Sequence, residues 1–203
     1  MDRQLERQWQ ALAAMMLVTL GSGLLLIAAL ALGWNTPRPD RPPDRRGLKH
    51  PFDLFIPAGK ERLFLLGSFE RDGIVEAEFV HLAGPTSGFD AYGLVYRARD
   101  EDNYWVFAIG SDGYCSILAV TSGTKRELFP WQQFPHIRRG DGTNQLRVSC
   151  VGEACRFYIN DEYLTTLTSA GAAGKKFGVW GHSPMDETVV QVSRLAFWAS
   201  RDE

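Results

Sequence analysis

The sequence predicts an all-β sandwich or barrel preceded by a single transmembrane helix. From Phe52 onward, short runs rich in β-branched and aromatic residues recur at even spacing, divided by turn signals. Between Ala11 and Trp34 the chain carries no charge, and only Thr19 and Ser22 are clearly polar. Between these regions, from Pro37 to Arg46, prolines are interleaved with charged residues.

The apolar run comes first in the chain. At ~1.5 Å per residue it reaches roughly 35 Å, enough to cross a hydrocarbon core of ~30 Å with some tilt. Lipid leaves a helix as the only way for one segment to satisfy its own backbone. Trp9 and Trp34 bracket the run, where aromatic belts sit. Gly21 and Gly23, around Ser22, form a small-residue notch. Such a notch permits close approach by a neighbouring helix; the alternative is simple tolerance of glycine. A cleaved signal peptide is the rival reading, with Arg3 and Arg7 as its charged region and Ala29-Leu30-Ala31 as its cleavage site. The run is much longer than the ~7–15 apolar residues such peptides carry, so an uncleaved anchor is expected.

The next stretch holds Pro37, Pro39, Pro42 and Pro43 among Arg38, Asp40, Arg41, Asp44, Arg45 and Arg46. Such sequence favours extended polyproline II and acts as a semi-rigid spacer. It is read either as a plain stalk or as a strap lying along a partner protein. The expected organisation is a short tail over residues 1–10, a transmembrane helix over 11–34, a linker over 35–51 and a β-sandwich over 52–203.

Within the last region, strands are expected at Arg62–Phe69, Gly73–Val80, Ala91–Arg99, Asn103–Ile109, Tyr114–Val120, Gln145–Cys150 and Arg156–Asn160. Arg71-Asp72-Gly73, Ser111-Asp112-Gly113, Ser122-Gly123, Gly140-Asp141-Gly142 and Asn160-Asp161 supply the turns. Composition limits the function classes. Among 203 residues the net charge is −2 and 45% are hydrophobic, which excludes a disordered chain and shows no basic footprint for nucleic acid. His50, His81, His136 and His182 share no metal-ligand spacing, and no Gly-x-Ser-x-Gly or phosphate-cradling loop occurs. No cofactor is implied.

Tyr92-Gly-Leu-Val-Tyr-Arg97, Asn103-Tyr-Trp-Val-Phe107, Asp112-Gly-Tyr114, Trp131, Ile137, Gly140, Asn144-Gln-Leu-Arg-Val148 and Phe157-Tyr-Ile-Asn160 together resemble a known family. The pattern is similar to the concanavalin A-like lectin/glucanase superfamily, in its bacterial branch near the 3-keto-disaccharide hydrolase domains. It covers roughly residues 60 to 198, and its motifs mark fold rather than site. The resemblance implies a jelly-roll sandwich of two curved sheets. Where relatives often read Asn-Gly after the Tyr-Ile strand, this chain has Asn160-Asp161, which still permits a two-residue hairpin. Such sandwiches host lectins, hydrolases and plain scaffolds, so fold leaves function open.

Glu76 and Glu78 stand at i and i+2 on one strand and so share a face. Paired carboxylates are what glycoside hydrolysis needs. The glucanases of this superfamily carry an acidic triplet, which Val80 here leaves incomplete. The pair is therefore expected to be a solvated polar face, with no catalytic residues assigned. Asp100, Glu101, Asp102 and Asn103 gather oxygen ligands of the kind calcium takes, yet a tight turn wants the same residues. Trp105 and Phe107 share a strand face and are the candidates for stacking on sugar rings, against core packing as the alternative. Trp131 is read as core or an edge clamp.

Cys150 and Cys155 flank Val151-Gly152-Glu153-Ala154, a hairpin connection that sets them opposite each other. Facing positions in a non-hydrogen-bonded pair have Cα atoms about 4.5 Å apart, within disulfide range. A Cys150–Cys155 bond is expected, with Cys115 a buried thiol. Such a bond persists in an oxidising compartment and sets the sandwich outside the cytoplasm. Arg38, Arg41, Arg45, Arg46 and Lys49 after the helix, against Arg3 and Arg7 before it, point the other way, although long domains translocate largely regardless of charge. The first expectation for function is a non-catalytic, single-span accessory subunit of a larger membrane complex, an energy-transducing one being a natural setting. Its partners would be other membrane-protein subunits and the bilayer. The alternative is a membrane-tethered carbohydrate-binding or sensing domain, and the third reading is a glycoside hydrolase.

Overall fold

The computed structural model describes residues 2–31, 39, 41–46, 48–68, 72–85, 90–168 and 174–199. Trp34, Pro37, Arg38, Asp40, Phe69 and Arg71, named above, lie outside the described residues. The chain forms two compact units, Met1–Pro37 and Arg38–Glu203.

The first unit holds one helix, α1 (Asp2–Ala31), so the expected tail is helical from residue 2. Thr19 Oγ1 donates to the carbonyls of Met15 and Met16 at 3.0 Å, and Ser22 Oγ donates to that of Thr19. Both polar side chains of the apolar run are thus satisfied by the helix's own backbone. Met15, Leu17, Leu20 and Leu25 are exposed around the helix. Among the described residues no helix is long and apolar enough to cross a membrane, so the crossing expected over 11–34 rests on the sequence.

The second unit is all-β, built as two antiparallel sheets. In chain order its strands are β1 (Arg45–Arg46), β2 (Phe52–Ile56), β3 (Lys60–Ser68), β4 (Gly73–Ala83), β5 (Ala91–Asp100), β6 (Asn103–Ile109) and β7 (Tyr114–Thr121). They continue as β8 (Thr124–Gln133), β9 (Asn144–Val151), β10 (Ala154–Ile159), β11 (Glu162–Thr168), β12 (Lys176–Ser183) and β13 (Thr188–Ala199). One sheet runs β1-β13-β4-β9-β10-β11, with β2 also on β13; the other runs β3-β12-β5-β6-β7-β8.

Alternation places one face of each sheet in a shared core. Val75, Ala77 and Phe79 of β4 and Val148 and Phe157 of β9 and β10 meet Tyr92, Leu94, Tyr96 and Phe107 of the six-stranded sheet. Rings bridge the layers: Phe79 to Tyr92 at 5.8 Å, Tyr96 to Phe157 at 5.4 Å and Phe177 to Phe197 at 5.9 Å. Cys115 lies in this core, and burial pushes its thiol up to about 12.

The β10–β11 turn takes Asn160 and Asp161 through φ of 52° and 70°. Positive φ at both central residues is the geometry that matches the right-handed twist of the strands it joins. Cys150 and Cys155 face each other across β9 and β10 and are bonded, with Cα atoms 4.1 Å apart. The strands take up the first and last residues of the expected four-residue connection, Val151 and Ala154, leaving Gly152 and Glu153 as the turn.

Part of the stretch expected as a spacer belongs to the sandwich. Arg45 and Arg46 pair with Phe197 and Ala196 on the edge of β13. Arg41 Nη2 donates to the Ala199 carbonyl at 2.6 Å, and the Ala199 amide donates to Asp44 Oδ2 at 2.7 Å. The strap lies along its own domain.

Candidate functional site

The six-stranded sheet has a second face, turned away from the shared core. Tyr104, Val106 and Ala108 of β6 alternate with the core residues Trp105, Phe107 and Ile109 and join Ala91, Val95, Leu118, Val120 and Trp180 in a separate apolar cluster. Towards one end this face sinks into a cleft of about 520 Å³, reaching from Trp180 and His182 of β12 to Lys125, Glu127 and Trp131 of β8. Ala91 and Leu118 line it between those walls, and Asp90, Asp112 and Tyr114 come from the strand ends.

Ala91 and Gly110 are the small residues in the cleft lining. Next to Ala91, Gly93 lies so close to β6 that a methyl group on it would sit 2.0 Å from the Phe107 carbonyl oxygen. Only glycine lets the two strands approach there. Trp131 and Tyr114 keep 38% and 42% of their surface exposed, so their rings are open platforms. Trp180 is buried instead, with His182 stacked on it at 6.1 Å and Lys125 Nζ 5.3 Å from its ring centre.

Glu61 of β3 holds this wall in place. Its Oε1 accepts from Tyr104 Oη at 2.7 Å and from Trp180 Nε1 at 2.5 Å, while Lys125 pairs with Oε2. Burial by itself would raise the Glu61 carboxyl, but the hydrogen bonds from Lys125, Trp180 and Tyr104 outweigh it and leave the group below its usual range. The His182 imidazole is lowered, first by burial and then by the charge of Lys125. At the cleft's inner end Asp90 is buried, accepting from Ser111 Oγ at 2.6 Å and lying 3.1 Å from His81 Nε2.

The residues singled out in the sequence fall elsewhere. Trp105 and Phe107 point into the shared core, against Tyr96 and Phe157, and present no platform for a sugar. Glu76 and Glu78 do share a face, on the other sheet. The expectation of a solvated pair is corrected for Glu76, which is fully buried, 3.4 Å from Arg194 Nη1 and 3.6 Å from Arg147 Nη1. Arg147 also reaches Asp161 at 2.6 Å and stacks on Tyr158, so long side chains roof the carboxylate. Glu78 lies 3.4 Å from Arg194.

Asp100 Oδ1 accepts from the Asp102 amide at 3.0 Å and from Asn103 Nδ2 at 2.7 Å, while Asn103 Oδ1 accepts from the Ser122 amide. Those oxygens serve the turn, and the hydrogen bond from Asn103 lowers the Asp100 carboxyl. Among the described residues no group of three or more His, Cys, Asp or Glu is placed to hold a metal ion. A methyl group on Gly21 or Gly23 would meet nothing within 4 Å.

Sequence reasoning missed Tyr114, Trp180, His182 and Glu127, and read Trp131 as core or an edge clamp. Alternation along β12 was the available signal: Phe177 and Val179 face the core, so Trp180 and His182 take the opposite face.

No protein-family model and no curated protein matches the chain. Its sandwich is similar to that of a functionally unknown protein from Saccharomyces cerevisiae, at 12% identity and a TM-score of 0.57 over 79% of this chain and 94% of that one. It is also similar to the GH43 protein BlXynB from Bacillus licheniformis, in a K247S mutant, at 10% identity and a TM-score of 0.57 over 73% of this chain and 32% of that one. The carbohydrate-binding module CBM66 from Bacillus subtilis aligns at 16% identity and a TM-score of 0.45 over 72% of this chain and 79% of that one. At these identities the likeness is one of fold: an antiparallel two-sheet β-sandwich of the jelly-roll type.

Proposed function

We propose that the chain is a membrane-tethered, non-catalytic domain that binds carbohydrate in the cleft of its six-stranded sheet. One observation carries the reading: two exposed aromatic rings, Trp131 and Tyr114, border a depression that also presents carboxylates and an imidazole. A sugar ring offers an apolar C–H face for such platforms and hydroxyls for such polar groups. The uncharged run Ala11–Trp34 supports the tether, and the Cys150–Cys155 bond supports an extracytoplasmic sandwich. Glu76 and Glu78 are held by Arg147 and Arg194 on the opposite sheet, which favours binding over hydrolysis by that pair. Glycan-array binding of the full chain in uncharged detergent tests the reading. Selective binding that Trp131→Ala abolishes is expected, and an array without selective signal overturns it.

A second reading keeps the sandwich as the interaction module of an accessory subunit in a membrane assembly. The Gly21-Ser22-Gly23 notch in the sequence supports it. Co-purification in mild detergent, lost on replacing both glycines with Leu, is its expected signature.

A further inference from the structure

We infer that the saccharide this cleft accepts carries a free, protonated amine. The inference rests on the cleft's being the carbohydrate site and concerns which class of sugar it prefers. Five ionisable side chains with charge at stake line it: Asp90, Asp112, Lys125, Glu127 and His182. The one lysine is committed, since Lys125 pairs with Glu61. Asp90 is committed likewise, facing His81 at 3.1 Å and accepting from Ser111. Burial and the charge of Lys125 both lower the His182 imidazole, which disfavours its charged form.

Two carboxylates are left. Asp112 accepts the Tyr114 backbone amide at 3.2 Å through Oδ1, in a turn where the Arg139 side chain lies against Gly113 without lining the cleft. Glu127 stands on β8, opposite Leu118 of β7, four residues before Trp131 on the same strand. The cleft therefore carries two carboxylates in the same lining as the two exposed rings, and among the described residues the one lysine that lines it is already paired. A ring face attracts an ammonium group and a carboxylate does the same, so both features select one ligand charge. The same two carboxylates repel uronates and sulfated sugars. A neutral sugar would use the platforms and leave the charges unanswered. The amino sugar answers both.

The test uses the full chain in uncharged detergent with three oligosaccharides of matched length: glucosamine, N-acetylglucosamine and a uronate. Titration calorimetry is run at pH 6, where the ligand amine is protonated, in low and high salt. The glucosamine oligomer is expected to bind about tenfold more tightly than its acetylated counterpart at low salt, with the preference shrinking as salt screens it. Asp112→Asn with Glu127→Gln should remove the preference while the acetylated oligomer still binds. Asparagine can still accept the Tyr114 amide, so the turn is preserved. Equal or tighter binding of the acetylated or uronate oligomer to the unmodified protein overturns this inference alone. Absence of binding by all three overturns this inference as well, and the glycan array then decides whether the carbohydrate reading falls with it.

Discussion

Trp198 Nε1 donates to the Arg41 carbonyl at 2.8 Å, tying the final strand to a segment more than 150 residues earlier in the chain. The same corner holds the Arg41–Ala199 and Asp44–Ala199 hydrogen bonds and the β1–β13 pairing. What composition marks as a spacer is therefore the border of the folded unit, which begins at Arg38.

Truncation checks that border. A fragment of residues 38–203 should fold and stay soluble. A fragment of residues 52–203 loses these three hydrogen bonds, worth together about 3 kcal/mol, and the β1–β13 pairing with them. Its melting temperature should be lower by roughly 6–12 °C. Equal melting temperatures would show that the strap contributes nothing.

Glu76 and Arg147 should matter for stability and not for ligand. Removing one partner of a buried ion pair costs about 3–5 kcal/mol where the other is left unpaired; because Arg194 stays 3.4 Å from Glu76, the loss of Arg147 should fall at or below that range. Arg147→Met is expected to lower denaturation midpoints accordingly and to leave carbohydrate affinity unchanged in the folded fraction. A variant with full stability would mean that the pair is not enclosed as the structure places it.

The fold was legible where alternation is clean. Ala91–Arg99, Asn103–Ile109 and Tyr114–Val120 appear in the sequence almost as they appear in the sheet, because each alternates between two apolar faces. The strand β8 was not, since Pro130 and a polar composition argue against a strand; as a sheet edge it tolerates both. The longest strand, β13, hides behind a register shift between Val192 and Arg194 that breaks its period. The site was less legible still. Its residues come from β5, β7, β8 and β12 and from the β6–β7 turn, and no local spacing joins Tyr114, Trp131 and His182. Paired carboxylates and an aromatic run drew the eye to Glu76, Glu78, Trp105 and Phe107, whose partners across the sheets give them structural work.

Acid should loosen the cleft wall through Glu61. Its carboxyl is lowered in the folded protein, so the stabilisation is present above the unfolded carboxylate range, ~4.3, and is lost as pH falls through the lower folded value. Thermal melts between pH 7 and pH 2 should show this loss, and Glu61→Gln should flatten that part of the curve. An unchanged curve in the variant would remove Glu61 from the account.

Thiol counting checks the cysteines. Native protein should take up no alkylating agent, because Cys115 is buried with its thiol pushed up to about 12 and Cys150 is bonded to Cys155. Denatured, unreduced protein should take up one label, and reduced protein three. Replacing both bonded cysteines with Ser should cost roughly 2 kcal/mol. Three labels without reduction would remove the bond and the main support for an extracytoplasmic sandwich.

The most direct measurement of the central claim is hydrogen–deuterium exchange on the full chain, with and without a glycan identified by the array. Peptides spanning 108–118 and 123–133, which carry Asp112, Tyr114, Glu127 and Trp131, should gain protection on binding. Protection centred instead on β4 and β13, around Glu76 and Arg194, would place the ligand on the opposite sheet and contradict the account.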